Sequence, residues 1–359
     1  MGAQPAGGLR RRWVVVAVVL CALVVVAAAF AQRVRRDALS GMSGGAAAEE
    51  RPADPEADAP AVLGAPASPD PATAPTTLSD LDLSAIPAAA EPTSFSLADG
   101  DATPVDPASS LCAAIQDAER LGSLSLLLLD CGTGAGVAYG TDTTVYSAST
   151  FKAVYAAYVC SELIESGQVT RETICPVLEG DEYDGTYGVP GRSYYLGTLL
   201  EALITESDND AFRILHVNLD RLGYTSWMLE RFGEEVFEPA SYYQFVSART
   251  MAQAWSFVAD YLESGTETAA WLDSLLSQTG TSFIRSALAD TGAQVRNKAG
   301  WYANDPTYNS TSDVGLVELD GSSYLVVALS DMPACSQSEQ ALEGVIRALF
   351  EALPASDAS

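Results

Sequence analysis

The chain has 359 residues, 48% of them hydrophobic, which is enough for a sizeable core. Its 47 acidic side chains against 19 basic ones give a formal charge of -28, and a surface so negative repels phosphate backbones, so nucleic acid is excluded as a partner. One histidine, His216, cannot furnish an imidazole metal cluster, and only two of the 19 bases, Lys152 and Lys298, are lysines.

Arg10, Arg11 and Arg12 precede an uncharged apolar run from Trp13 to Ala31, long enough to span a bilayer as a helix. Two readings stand: a retained signal anchor behind a short basic cytoplasmic end (1–12), or a signal peptide cleaved after Ala29-Phe30-Ala31. Either puts the remainder of the chain outside the cytoplasm, membrane-bound in the first case and secreted in the second. Residues 32–105 are rich in Ala, Pro, Asp and Glu without apolar periodicity, and read as a disordered spacer. Beyond Cys21 come Cys112, Cys131, Cys160, Cys175 and Cys335, with no CxxC pair. Disulfides therefore read better than zinc, and Cys160 with Cys175 is the expected bridge.

The folded domain is expected over residues 106–353, with a short tail at 354–359. Residues 109–121 carry apolar side chains at helical spacing after a Ser cap, 123–130 and 135–139 read as a hairpin, and 150–166, 196–205, 210–222 and 250–264 as helices. Residues 293–298, 314–319 and 324–329 read as three strands, the last two joined by the turn signal Asp320-Gly321. A closing helix spans 339–353. The order predicts an α/β (α+β) fold: a five-stranded antiparallel sheet flanked by terminal helices, with an inserted helical subdomain and a cleft between the two. His216, inside one of those helices, reads as a packed helix residue rather than a catalytic one.

Ser149-Thr150-Phe151-Lys152 opens the helix that follows the first hairpin. An offset of three residues puts the Lys152 amine one turn from the Ser149 hydroxyl, and a lysine serves as a base once burial or a neighbouring cation lowers its pKa. Arginine cannot, and a chain that uses arginine for nearly every cation has kept a lysine here. The second lysine, Lys298, ends a strand and is followed by the small step Ala299-Gly300. Between them, Ser207-Asp208-Asn209 ends a helix of the inserted block.

These three motifs in this order resemble the serine β-lactamase and penicillin-binding protein superfamily, most closely the class A β-lactamase-like group. The resemblance implies Ser149 as the acylated nucleophile, Lys152 as its proton acceptor and Ser207 as the shuttle to the leaving nitrogen. It implies Lys298 as the charge that depresses Lys152 and attracts a substrate carboxylate, Asn209 as the ligand of the substrate amide, and the Ser149 and Trp301 N–H groups, beside Gly300, as the oxyanion hole. Two departures are visible. Ala299 stands where the family has a Thr or Ser hydroxyl, and Glu238-Pro239 falls where a Glu activates the deacylating water but lacks the family's continuation.

The expected function is a β-lactamase-like serine hydrolase acting on β-lactams or cell-wall peptides, in keeping with an antibiotic response. A D,D-peptidase or transpeptidase with slow deacylation, and a degenerate cell-wall binding protein, are the alternatives. No cofactor is implied, and the expected partners are that substrate and the membrane, with the chain a monomer.

Overall fold

The computed structural model describes residues 77–233, 238 and 241–353. The apolar run at 13–31, the first part of the expected spacer and the tail lie outside the described residues, and among those described no helix is long and apolar enough to cross a membrane.

In chain order, β1 (Thr93–Ser96) and β2 (Asp101–Pro104) form a hairpin. Helix α1 (Ser110–Ala118) follows, with the Ser109 hydroxyl accepting the Cys112 N–H as its cap. Strands β3 (Leu124–Asp130) and β4 (Ala135–Tyr139) are joined by a turn that Asp130 closes, its carboxylate accepting the Gly132 and Thr133 N–H groups. Short strand β5 (Val145–Tyr146) leads through a 3-10 turn, Ala148–Phe151, into α2 (Lys152–Tyr158). The inserted block contains the ribbon β6 (Ile174–Pro176) and β7 (Ser193–Tyr195), then α3 (Leu196–Glu201), α4 (Asn209–Leu219) and α5 (Tyr224–Phe232). After β8 (Phe245–Val246) come α6 (Ala248–Glu263), α7 (Glu267–Ser277) and α8 (Phe283–Ala287). The chain closes with β9 (Gln294–Tyr302), β10 (Ser310–Leu319), β11 (Ser322–Ser330) and α9 (Ser336–Ala352).

The main sheet is antiparallel, in the order β2-β1-β4-β3-β11-β10-β9. It has seven strands rather than the expected five. The two additional strands come from residues that composition assigned to the spacer: Phe95 opposes Gly136 of β4 across the new edge and is buried, and Leu78, Leu83 and Ile86 upstream are buried too. A short apolar segment with few core residues of its own gains order once an existing sheet edge satisfies its backbone. The Asp320-Gly321 turn is as expected, both residues having the positive φ, 52° and 84°, that a two-residue hairpin requires.

Strand β3 reads as a continuous apolar run because both faces of the sheet are covered. Leu126 and Leu128 pack with α1 and α9, among Leu111, Ile115, Leu342 and Ile346; Leu127 and Leu129 pack with the helical block, among Val154, Met251 and Trp255. The expected Cys160–Cys175 bridge is absent. Both thiols are free and buried, and burial raises the Cys175 thiol to about 11 and the Cys160 thiol further.

Candidate active site

Three elements converge beside the free edge of β9. The first is the turn that carries Ser149. The preceding residue, Ala148, has a φ of +44°, a left-handed conformation costly for a residue with a Cβ, and it follows Ser147, whose backbone is tied to Gln244 and Thr150. Ser149 is partly exposed, and its hydroxyl makes no hydrogen bond among the described residues.

The second element is β9. A Cβ on Gly300 would lie 2.7 Å from the Ser149 nitrogen and 2.9 Å from the Thr150 nitrogen. Glycine is required there because the strand passes against the N–H groups at the head of the Ser149 turn. Trp301, next along the edge, is exposed, with the Lys298 amine 5.7 Å from its ring centre. Ala299 is fully buried in the core beneath the opposite face of the sheet, opposite Asp313 of β10.

The third element is the junction of α3 and α4. Helix α3 widens into a π turn, Ala202–Glu206, and ends on Ser207 with φ 58° and ψ 31°. The left-handed residue reverses the chain, so that the Ser207 hydroxyl and carbonyl and the Asn209 carboxamide face the same space. Asp208 caps α4 through the Ala211 N–H and also accepts the Thr186 N–H. Asp210 accepts the N–H groups of Tyr183 and Gly188. Both acids thus tie the β6–β7 loop down over this junction.

The two lysines meet at Ser207. Lys298 Nζ donates to Ser207 Oγ at 2.9 Å and to the Ala299 carbonyl at 2.9 Å. Lys152 Nζ donates to the Ser207 carbonyl at 2.6 Å and to Asn209 Oδ1 at 2.6 Å, with Ser207 Oγ at 3.4 Å. Lys152 is 0% exposed and Lys298 2%. Burial above all, then the charge of Lys298, hold the Lys152 amine well below its ordinary range against the pull of Asp208. Burial lowers Lys298 to about 7, opposed by Asp313, whose own carboxyl burial raises to about 6 although it accepts from the Ile284 N–H and the Asn297 amide. An amine this depressed, one turn from a serine hydroxyl, can accept its proton, and the Ser207 hydroxyl between two amines can pass a proton on.

The fourth side of the site is the loop after α5. Ser147 N–H donates to the Gln244 carbonyl and the Gln244 N–H to Ser147 Oγ, which pins the loop beside Ser149. The buried Gln244 side chain accepts the Glu238 N–H and donates to the Ser241 carbonyl. Glu238 itself is exposed. The loop residue that reaches the lysine cluster is Tyr243, whose hydroxyl donates to Asn209 Oδ1 at 2.8 Å. Neither Tyr243 nor Asp313 is marked by any of the motifs; an aromatic triplet, Tyr242-Tyr243 before Phe245, and an acid directly before the apolar run from Val314 were the available signals. His216 is buried, with Nδ1 2.8 Å from Asp220 and its ring stacked on Tyr242, a packing role as read from the sequence.

Fold and site together define a serine hydrolase of the Ser-Lys type. The chain belongs to the beta-lactamase enzyme family, whose sequence profile matches residues 108–353. Among solved structures it is similar to an ancestral class A β-lactamase (TM-score 0.56, 21% identity, 68% of this chain and 100% of that one). It is likewise similar to a β-lactamase from Xanthomonas campestris (0.56, 19%, 67% and 97%) and to PBP-A (0.56, 20%, 70% and 98%). At these identities the structural likeness speaks to the fold. No curated protein sequence matches the chain.

Proposed function

We propose that the chain hydrolyses the amide bond of β-lactams or related cell-wall peptides through an acyl-enzyme on Ser149. The observation that carries this is the meeting of both buried lysines on Ser207 beside the serine. Lys152 accepts the Ser149 proton as Oγ adds to the carbonyl carbon. The Ser149 and Trp301 N–H groups take the developing oxyanion, and Asn209 holds the substrate's side-chain amide. Ser207 protonates the leaving nitrogen as the C–N bond breaks, and Lys298 steadies a substrate carboxylate as a point charge, in place of the hydroxyl that Ala299 lacks. Water then releases the acyl group and restores Ser149.

A second reading, a penicillin-binding-protein-like peptidase that deacylates slowly, is favoured by one observation: the loop presents a phenol, that of Tyr243, to the lysine cluster. One of the similar structures is a PBP-A variant described as an acyl-enzyme complex with penicillin G. Export by the apolar run at 13–31, either as a single-pass membrane anchor or with release as a secreted protein, and action as a monomer belong to the same proposal and are supported by the sequence.

Full-length protein incubated with a chromogenic cephalosporin decides between the readings when hydrolysis and protein mass are followed together. Turnover that vanishes in Ser149→Ala is the expected result for a hydrolase. A stable adduct on Ser149 without turnover supports the peptidase, and a folded protein giving neither signal overturns the acyl-enzyme reading.

A further inference from the structure

We infer that Tyr243 is the positioning residue through which the loop after α5 acts on the reacting centre, its phenol clamping the Asn209 carboxamide against the Lys152 amine. This deepens the reading of Lys152 as the base for Ser149 and rests on it. Asn209 Oδ1 accepts two hydrogen bonds, from Lys152 Nζ at 2.6 Å and from the Tyr243 hydroxyl at 2.8 Å. Because both partners donate, the carboxamide has one usable orientation. Oδ1 is held by the pair, and the Nδ2 donors are left for a substrate carbonyl.

The Tyr243 ring also lies 6.0 Å from Lys152 Nζ, on the same amine that sits 5.5 Å from the Phe212 ring. The groups around the pair are Lys298 from β9 and Asp208 from the head of α4; Tyr146 from β5 and Tyr183 and Asp184 from the β6–β7 loop face Tyr243 itself. Burial first, then those neighbours, keep the phenol protonated, so it serves as a donor and not as a base.

Shared between two donors, Asn209 Oδ1 stabilises the Lys152 ammonium less than it would alone. Removing the hydroxyl while keeping the ring frees that oxygen for the ammonium and raises the Lys152 pKa. The amine is then protonated over more of the neutral range, where it cannot take the Ser149 proton.

The chain's two lysines make a direct test possible. Full-length protein labelled with 13C at lysine Cε gives two side-chain resonances, assigned by the loss of one of them in Lys298→Gln. In Tyr243→Phe the Lys152 titration should move up by about half a pH unit, as for part of one hydrogen bond to a charged group. The acidic limb of the rate of labelling by a fluorescent penicillin should move with it, and the rate at pH 7 should fall severalfold. A folded Tyr243→Phe protein whose Lys152 titrates as in the parent overturns the inference. A parent protein that takes up no penicillin overturns the acyl-enzyme reading instead, and the lysine titration still decides the role of Tyr243.

Discussion

Two walls of the same cleft are built to different standards. On one, two lysines are withdrawn from solvent and share the hydroxyl of Ser207, with every hydrogen-bond acceptor of the Lys152 amine a neutral oxygen. On the other, the loop after α5 is folded around its own glutamine, leaves Glu238 in solvent and offers a phenol to the cluster. The first wall suits attack by a serine hydroxyl, which needs an amine that is neutral near physiological pH. On the second, the described residue that reaches the lysine cluster is a phenol, Tyr243, which cannot activate water as a carboxylate would. Making an acyl-enzyme and breaking it are thus separate structural tasks, and this fold can equip one without the other.

The comparison breaks most severely at Lys152. Lys152→Arg keeps the positive charge but supplies a group that does not release its proton. Acylation by a fluorescent penicillin should slow by about a thousandfold, the contribution of a general base. Stopped-flow labelling would measure it, and a loss under tenfold would remove Lys152 from the proton path.

Next comes the contact between β9 and the serine turn. In Gly300→Ala the added methyl, 2.7 Å from the Ser149 nitrogen, must push the strand from the turn and spoil the pair of N–H groups meant for the oxyanion. The acylation rate should drop by about a hundredfold, the effect of one lost donor. The melting temperature should also fall.

A smaller effect concerns pH. With Lys298 at about 7, the amine is charged below that value and neutral above it, so its hold on a substrate carboxylate weakens as pH rises through 7. The KM of a carboxylate-bearing substrate should climb by up to about tenfold from pH 6 to 8, in line with the falling charged fraction. The carboxyl-esterified analogue should show no such trend. The same groups leave a signature in stability with opposite signs. Depressed in the folded state, Lys298 makes stability rise with pH between about 7 and its unfolded value of 10.5. Asp313, raised to about 6 from 3.8, makes stability fall as pH rises across that interval.

The smallest effect tests the second wall. Glu238→Gln should leave the rate of acyl-enzyme breakdown unchanged within about twofold, since the water-activating contribution it would otherwise lose is a hundredfold or more. Mass spectrometry of the adduct over time measures this rate, and a marked slowing would restore Glu238 to the mechanism.

The residues of the first wall were legible in the sequence because their signals are local or compositional. Ser149 and Lys152 are one helical turn apart, and the rarity of lysine points to Lys152 and Lys298 together. Tyr243 was not legible: it gains its position from a loop pinned by Gln244 to Ser147, a contact between segments far apart in the chain. Asp313 was hidden for a similar reason. It lies just before the run read as a strand, and the N–H groups on its carboxylate come from distant segments, Ile284 of α8 and the Asn297 side chain of β9. The hairpin at 93–104 carries no strong signal of its own because its order derives from the edge of β4 rather than from its apolar content.

By itself, then, the sequence determined what depends on near neighbours along the chain: the helices and hairpins, the Ser-x-x-Lys spacing, and the choice of an amine where an arginine could not work. Tertiary structure decided what depends on distant segments meeting. It set the seven-strand width of the sheet, the free state of Cys160 and Cys175, and the depressed basicity of both lysines. It also placed Tyr243 at the cluster. The physical reason is that desolvation and close charge are properties of an enclosure, and no single segment of this chain encloses Lys152 or Lys298 alone.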